Sequence, residues 1–358
     1  MAAYTILAIN PGSTSTKIAL FEDEQMVFSK SIRHDTQQLS CFEKVSHQFE
    51  FRKKLIVEEL EKQHISVSDI SVIVGRGGLL KPIPSGVYEV NPSMINDLYL
   101  GRQGEHASNL GGLIAFDMAK QIPGCAAYIA DPVVVDELQP VARISGHPDF
   151  QRISIFHALN QKAVAKNYAR EVGISYDKLN LIIAHLGGGV SVGAHDKGRV
   201  VDVNNALDGE GPFSPERSGT LPAGALAALC FSGDCTLEKV RKMIVGEGGM
   251  VAHLGTNQFT AVCDWVEEGR ADARLIFDAM AYQVSKAIGA MAVVLKGEVD
   301  AILITGGMAY SKLFVEEIEK QVNFLAPVHV YPGEDEMAAL AMNGLAVLRG
   351  EEAPKLYE

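Results

Sequence analysis

The chain has 358 residues, 47% of them hydrophobic and 21% charged, with a formal net charge of −12. That length favours two domains over one core, and the acidic surface disfavours nucleic acid as a primary partner. The most apolar stretch, 287–295, is broken by Gly289 and too short to span a bilayer, and the start Met1-Ala2-Ala3-Tyr4 shows no basic-then-apolar leader.

In chain order, an apolar strand at 6–9 runs into Asn10-Pro11-Gly12-Ser13-Thr14-Ser15-Thr16-Lys17, then a second strand at 18–21 and a turn at Glu22-Asp23-Glu24. The spacing predicts amphipathic helices over 42–63 and 155–172. A strand at 181–184 then meets His185-Leu186-Gly187-Gly188-Gly189-Val190-Ser191-Val192, with a turn at Asp196-Lys197-Gly198. A long helix over 271–295, a strand at 301–304, a glycine turn at Gly306-Gly307, a helix through Leu313 and Ile318, a strand at 328–331 and a helix over 334–348 complete the chain. Strands alternating with helices mean α/β layers.

The two hairpins superpose at an offset of 175 residues, which sets Asn10 on His185 and Gly12 on Gly187. Half-chain self-similarity reads as duplication of one domain. The expected domains are 1–152 and 153–336, parting after the turn Gly146-His147-Pro148-Asp149, with the terminal helical segment 337–358 returning to the first. Cys41, Cys125, Cys230, Cys235 and Cys263 are odd in number, scattered and without zinc-knuckle spacing, which reads as thiols of a reducing compartment, the cytoplasm.

A Gly-, Ser- and Thr-lined turn directly after a strand presents backbone N–H groups and hydroxyls without bulk, as a phosphate cradle requires. Any one such turn also reads as a hairpin that needs glycine for its backbone. Three in one chain, at Pro11–Lys17, Gly187–Gly189 and Gly306-Gly307, point to a nucleotide, with the first two facing each other if the domains are related by a pseudo-twofold. No Gly-Lys-Ser or Gly-Lys-Thr is present, and Gly187–Gly189 opens an alternating strand rather than a helix, so Walker A and Rossmann loops are excluded. A protein-kinase catalytic loop is absent too.

Asn-Pro-Gly-Ser-Thr-Ser-Thr-Lys at 10–17 resembles the first phosphate motif of the acetate/butyrate kinase family, the butyrate branch in particular. The resemblance continues through Val-Gly-Arg-Gly-Gly-Leu-Leu (74–80), Ala-Asp-Pro-Val-Val-Val-Asp-Glu (130–137), His-Leu-Gly-Gly-Gly (185–189), Glu-Arg-Ser-Gly (216–219) and Thr-Gly-Gly-Met-Ala (305–309), spanning essentially the whole chain. It implies an α/β fold of duplicated ribonuclease-H-like, actin-like domains with a nucleotide cleft between them. It also implies ATP/ADP and Mg²⁺ as cofactors, a short-chain carboxylate and its acyl phosphate as substrates, and a homodimer through the second domain.

A carboxylate nucleophile, with a pKa of roughly 4, is already an anion at neutral pH and needs no general base. Catalysis must then rest on donors, cations and alignment that let one anion attack another. Arg217, in the loop Pro215-Glu216-Arg217-Ser218-Gly219, is the candidate to grip the transferring phosphoryl oxygens, the role the resemblance assigns it; a surface ion pair is the plain alternative. His185 ends a strand before the triple glycine and is placed to donate to phosphate. His157 matches the family's other histidine, or else packs.

Ser13, Ser15, Lys17 and the glycines at 187–189 and 306–307 are the expected nucleotide contacts, Lys17 either balancing phosphate charge or lying exposed. By resemblance Asp131 lies beside the substrate, although it reads equally as a turn former before Pro132. Asn10 and Glu336 resemble positions near Mg²⁺, and Glu336 would also suit a helix N-terminus. Arg76 is the candidate for the substrate carboxylate. Two stretches depart from the acetate branch: Asn257-Gln258-Phe259-Thr260 stands where that branch carries Asp-Phe-Arg near the nucleotide, and Arg76-Gly77-Gly78 stands where that branch places an arginine slightly upstream of its His-Gly-Gly.

The reading is therefore a butyrate or branched-chain fatty acid kinase using direct in-line transfer. An acetate or propionate kinase would differ only in pocket size. An actin-like assembly protein switched by ATP and a nucleotide sensor without turnover are the readings from other classes.

Overall fold

The structure, a computed structural model, describes residues 3–358. Met1 and Ala2, on which the expected absence of a leader and the start of the first domain span fall, lie outside the described residues. Two compact units divide the chain: one runs to Val135 and takes up Asp335–Glu358, and the other is Asp136–Glu334.

The first unit opens with an antiparallel meander of β1 (Thr5–Pro11), β2 (Ser15–Glu22) and β3 (Gln25–Arg33). The burial of β1 is nearly continuous, as befits a strand covered on both faces, whereas β3 is largely exposed and forms an edge. Helices α1 (Thr36–Ser40) and α2 (Phe49–Lys62) follow. The sheet continues with β4 (Val72–Arg76) and β5 (Val87–Glu89), then α3 (Pro92–Leu100), α4 (Asn109–Ala119) and β6 (Ala126–Ala130). Its order is β3-β2-β1-β4-β6-β5, with β1, β4 and β6 parallel. A Cβ at Gly75 would sit 2.2 Å from the Gly111 carbonyl, so strand β4 and helix α4 meet backbone to backbone.

The second unit repeats the plan. Helix α5 (Ala158–Val172) precedes the meander β7 (Asn180–Leu186), β8 (Val190–Asp196) and β9 (Arg199–Val203). Helices α6 (Ala223–Phe231), α7 (Leu237–Ile244), α8 (Gly249–Leu254), α9 (Phe259–Glu267) and α10 (Ala271–Val294) come next. Then follow β10 (Ala301–Gly306), α11 (Lys312–Val322) and β11 (Val328–Pro332). The sheet order is β11-β10-β7-β8-β9, with β7, β10 and β11 parallel. Both ends of β1 fall on the ends of β7 at the 175-residue offset.

Each sheet borrows its last helix. Helix α5 follows β6 of the first unit yet packs on β7 and β10 of the second; α12 (Glu336–Leu348) follows β11 of the second yet packs on β1 and β4 of the first. The tail beyond α12 is equally committed to the first unit, with Lys355 N–H bonded to the Val87 carbonyl and Tyr357 2% exposed.

The sequence-based junction at 152/153 differs from the observed one at 135/136. Residues 136–152 belong with the second unit because they are pinned there: Lys162 Nζ donates to Glu137 Oε2 at 2.8 Å, Arg152 Nη1 donates to Asp202 Oδ1 at 2.9 Å, and Gln139 N–H bonds the Val201 carbonyl at 2.9 Å. The helix expected over 42–63 is interrupted, a short 3₁₀ turn at Val45–Gln48 leading into α2.

Candidate active site residues

In the first unit the candidates gather where parallel strands end, the usual ligand-binding edge of such sheets. Asn10, Arg76 and Asp131 stand at the carboxyl ends of the adjacent strands β1, β4 and β6. Glu336, the first residue of α12, joins two of them. Asn10 Nδ2 donates to Glu336 Oε2 at 2.5 Å, and Arg76 Nη1 lies 3.0 Å from Glu336 Oε1. Arg76 Nη1 also donates to Asn10 Oδ1 at 3.3 Å. Lys17, exposed on β2, pairs in register with Asn10 and so shares its face. Ser13 is exposed and Ser15 half-buried in the turn between β1 and β2.

Asp131 is under two kinds of strain. Its backbone is left-handed, φ 38°, which a residue with a Cβ rarely adopts. Its carboxylate is 2% exposed: Oδ1 accepts from Ser85 Oγ at 2.6 Å and Gly86 N–H at 2.9 Å, while Oδ2 is buried without a hydrogen-bond partner among the described residues. A buried carboxylate oxygen left orphaned is costly, and such groups concentrate where a ligand completes them.

In the second unit, the rings of His157 and His185 stack at 3.8 Å with 15° between planes. His185, 1% exposed, shares a hydrogen bond at 2.8 Å between its Nδ1 and Asn160 Oδ1. His157 precedes α5 directly, and its Nδ1 is 2.9 Å from Ser191 Oγ. The Gln161 amide donates to that same hydroxyl at 2.9 Å, and its Oε1 is 2.9 Å from Nε2 of buried His195. Tyr176 OH closes the chain on His195 Nδ1 at 2.6 Å. Burial, then the Lys162 ammonium, holds the His195 imidazole well below the usual histidine range, so it is neutral.

Arg217 lies against the triple-glycine turn. Its Nη1 donates to the Ala206 carbonyl at 2.6 Å, and Nε is buried without a partner among the described residues. Ser214 fastens the loop: its Oγ donates to the Gly188 carbonyl at 2.6 Å and accepts from Arg217 N–H at 3.1 Å. Burial lowers the Arg217 guanidinium from its ordinary value, with Glu216 opposing. Gly306 must be glycine, since its φ is 94° and a Cβ would lie 2.3 Å from the Leu186 carbonyl; Gly307 faces open space. In the first departing stretch, Phe259 belongs to the core, stacked on Phe277 with centroids 5.9 Å apart, and Asn257 Nδ2 reaches Glu216 Oε2 at 3.4 Å.

No group of three or more His, Cys, Asp or Glu side chains among the described residues is arranged to hold a metal ion, and no helix among them is long and apolar enough to cross a membrane.

A family profile described as the acetokinase family matches residues 151–333. Butyrate kinase 2 and butyrate kinase 1 of Clostridium acetobutylicum are 55% and 56% identical over 355 residues, covering 99% of this chain and 99% and 100% of theirs. The chain belongs to the acetokinase family. Among solved structures, an acetate kinase from Porphyromonas gingivalis aligns with TM-score 0.80 at 20% identity, covering 97% of this chain and 100% of that one. A propionate kinase from Francisella tularensis subsp. tularensis aligns with TM-score 0.73 at 17% identity, covering 95% and 98%. Those two likenesses establish the fold, a two-domain α/β architecture. As an acetokinase-family member the chain is an ATP-dependent carboxylate phosphotransferase.

Sequence reasoning passed over the residues that hold the candidate side chains in place within each unit. Ser85 orients Asp131, Ser214 clamps the Arg217 loop, and Asn160, Gln161 and Ser191 orient the histidines. No signal in the sequence marked the last group: Asn160, Gln161 and Lys162 are three consecutive polar residues of a helix, and only their burial in the fold sets them apart.

Proposed function

We propose that this kinase transfers the γ-phosphoryl group of ATP directly to the carboxylate of a butyrate-sized or branched short-chain acid, reversibly, giving an acyl phosphate and ADP. The observation that carries the mechanism is Arg217, a withdrawn guanidinium with an unpartnered Nε beside Gly187–Gly189. In a desolvated setting such a cation stabilises charge developing on the phosphoryl oxygens far better than it would in water. His185 and His157 supply further donors, and Asp131 lies near the substrate. Ser13, Ser15, Lys17, Gly187, Gly188 and Gly189 hold phosphates; Gly306 and Gly307 let the adenosine approach the backbone. Arg76 binds the acid's carboxylate. The names and high identity of the two clostridial relatives support butyrate over acetate as substrate.

Mg²⁺ fits the oxygen donors Asn10 Oδ1 and the Glu336 carboxylate, the type of ligand a hard cation prefers. With Arg76 already on Glu336, the ion would be held mainly by nucleotide phosphates, and its chemistry would be to offset phosphate charge. A homodimer through the second unit is supported by α6, whose sequence AGALAALCF is apolar throughout and buries none of its residues. A cytoplasmic location is supported by five cysteines that are all free thiols.

A hydroxamate assay with a C2–C6 acid series, repeated with Arg217→Ala, tests the reading. We expect kcat/KM to peak near C4 and Arg217→Ala to lower kcat by about 10²–10³ with a smaller change in KM. Absence of acyl phosphate from every acid would overturn it.

A further inference from the structure

Beneath the turn between β1 and β2 lies a charged side chain that sequence reasoning did not single out. Arg52, on α2, is 1% exposed. Its Nη1 donates to the Gly12 carbonyl at 2.7 Å, the Ser15 carbonyl at 3.1 Å and Thr16 Oγ1 at 3.2 Å. Nη2 donates to the Ser13 carbonyl at 3.1 Å, and Gln48 Oε1, one helical turn back, accepts from Nε at 3.0 Å and Nη2 at 2.8 Å. Every partner is a neutral oxygen. No carboxylate pairs with Arg52 among the described residues.

Two consequences follow from elementary geometry and charge. In a trans peptide the C=O and N–H point in opposite directions, and the chain has no cis peptide bonds among the described residues. Drawing the Gly12 and Ser13 carbonyls onto Arg52 therefore turns the N–H groups of Ser13 and Thr14 the other way, and both residues are exposed. A buried cation without a counter-anion is also costly to maintain, yet it leaves a net positive potential directly under those two donors. Neighbouring His34 adds no charge at neutral pH, because burial and then Arg52 push its imidazole down to about 4.

We infer that Arg52 is a positioning residue for the phosphates of the nucleotide: it aims two backbone N–H donors of the Gly12–Ser15 turn outward and supplies uncompensated positive charge behind them without touching the ligand. The inference rests on the reading of that turn as a phosphate cradle. It requires an effect confined to the nucleotide, which a merely structural arginine would not show.

The test compares wild type with Arg52→Lys, Arg52→Met and Gln48→Leu, measuring kcat, KM for ATP, KM for butyrate and the melting shift caused by MgADP. Arg52→Lys, which keeps the charge but loses the fork, should raise KM for ATP about tenfold, and Arg52→Met more, with KM for butyrate and kcat within about twofold. Gln48→Leu leaves Arg52 in place but removes the acceptor that orients it, so it keeps the test open if the arginine variants do not fold; a rise of about threefold in KM for ATP alone is expected. Folded variants with unchanged KM for ATP, or with both KM values raised equally, overturn the inference. A wild type that MgADP does not stabilise at all would instead sink the nucleotide reading on which it stands.

Discussion

A Cβ atom added to Gly189 would lie 2.0 Å from Nη1 of Arg217 and 2.7 Å from its Cζ. The third glycine of the triplet is thus required by the arginine that lies against it. Gly189→Ala should displace the guanidinium and lower kcat by about 10²-fold, close to Arg217→Ala. Because both changes remove one interaction, the double variant should be little worse than either alone. Additive losses in kcat would show that Gly189 serves the turn and not the arginine.

Asp131 separates chemistry from architecture. Asparagine tolerates the left-handed backbone and keeps an oxygen for Ser85 Oγ and Gly86 N–H. Asp131→Asn should hold its melting temperature within about 4 °C yet lose about 10²-fold in kcat. Asp131→Ala discards those acceptors as well, at about 1–3 kcal/mol of stability. Calorimetry beside steady-state kinetics checks both; an Asp131→Asn enzyme with wild-type kcat would leave Asp131 as a turn former.

The histidine pair is held by a hydrogen-bonded chain from Tyr176 through His195, Gln161 and Ser191 to His157. Gln161→Leu cuts that chain in its middle and leaves His195 Nε2 without this acceptor. We expect about 1–3 kcal/mol of destabilisation and roughly a tenfold lower kcat at unchanged KM for ATP. Gln161→Glu, which keeps an acceptor, should recover part of the stability. A Gln161→Leu enzyme with unaltered kcat would detach this chain from catalysis.

Acid should destabilise the fold in a defined window. His34 titrates near 6.5 when unfolded and at about 4 when folded. Between those values the unfolded chain binds more protons, so stability from this group is complete above pH ~6.5, falls as pH drops towards 4, and changes no further below. His195 is lowered for the same reason, burial first, and acts in the same direction. His34 alone should cost a few kcal/mol across that window. Urea midpoints measured from pH 7.5 to 4 check this, and His34→Asn should flatten part of the slope; a slope indifferent to His34 would assign the loss elsewhere.

Phe231 ends the apolar helix α6 with 91% of its surface exposed. In the proposed dimer it becomes buried, so Phe231→Glu should shift light-scattering mass from dimer towards monomer. A wild-type monomer would refute the dimer, and a variant that stays dimeric would move the interface away from α6.

Much of the fold was legible because the signals were local. The β1/β2 and β7/β8 hairpins carry unbroken apolar runs and repeat at one offset, and α10 is long enough for its period to show. Helix α4 was not legible: NLGGLIAFDMA carries two glycines that count against a helix in isolation, and only tertiary packing explains them, a Cβ at Gly111 falling 2.3 Å from the Arg76 carbonyl and one at Gly112 3.1 Å from Leu98. Strand β3 was missed because an exposed edge lacks the apolar alternation that marks a strand. The glycines, Arg217 and the histidines stood out by motif. Arg52, Ser85 and Ser214 did not, since their roles exist only once acceptors 26 to 46 residues away are folded onto them.

The borrowed helices set a timetable for the nascent chain. Strand β6 ends at Ala130, but the helix that covers β1 and β4 begins only at Glu336. At about 5–20 residues per second, the first sheet emerges from the ribosome roughly 10–40 s before its covering helix is made. During that interval the face destined for Leu340, Gly344 and Leu345 stands bare. A chain stalled shortly after β6 should therefore recruit holdase chaperones, and release should wait for α12 to emerge rather than for completion of the first half.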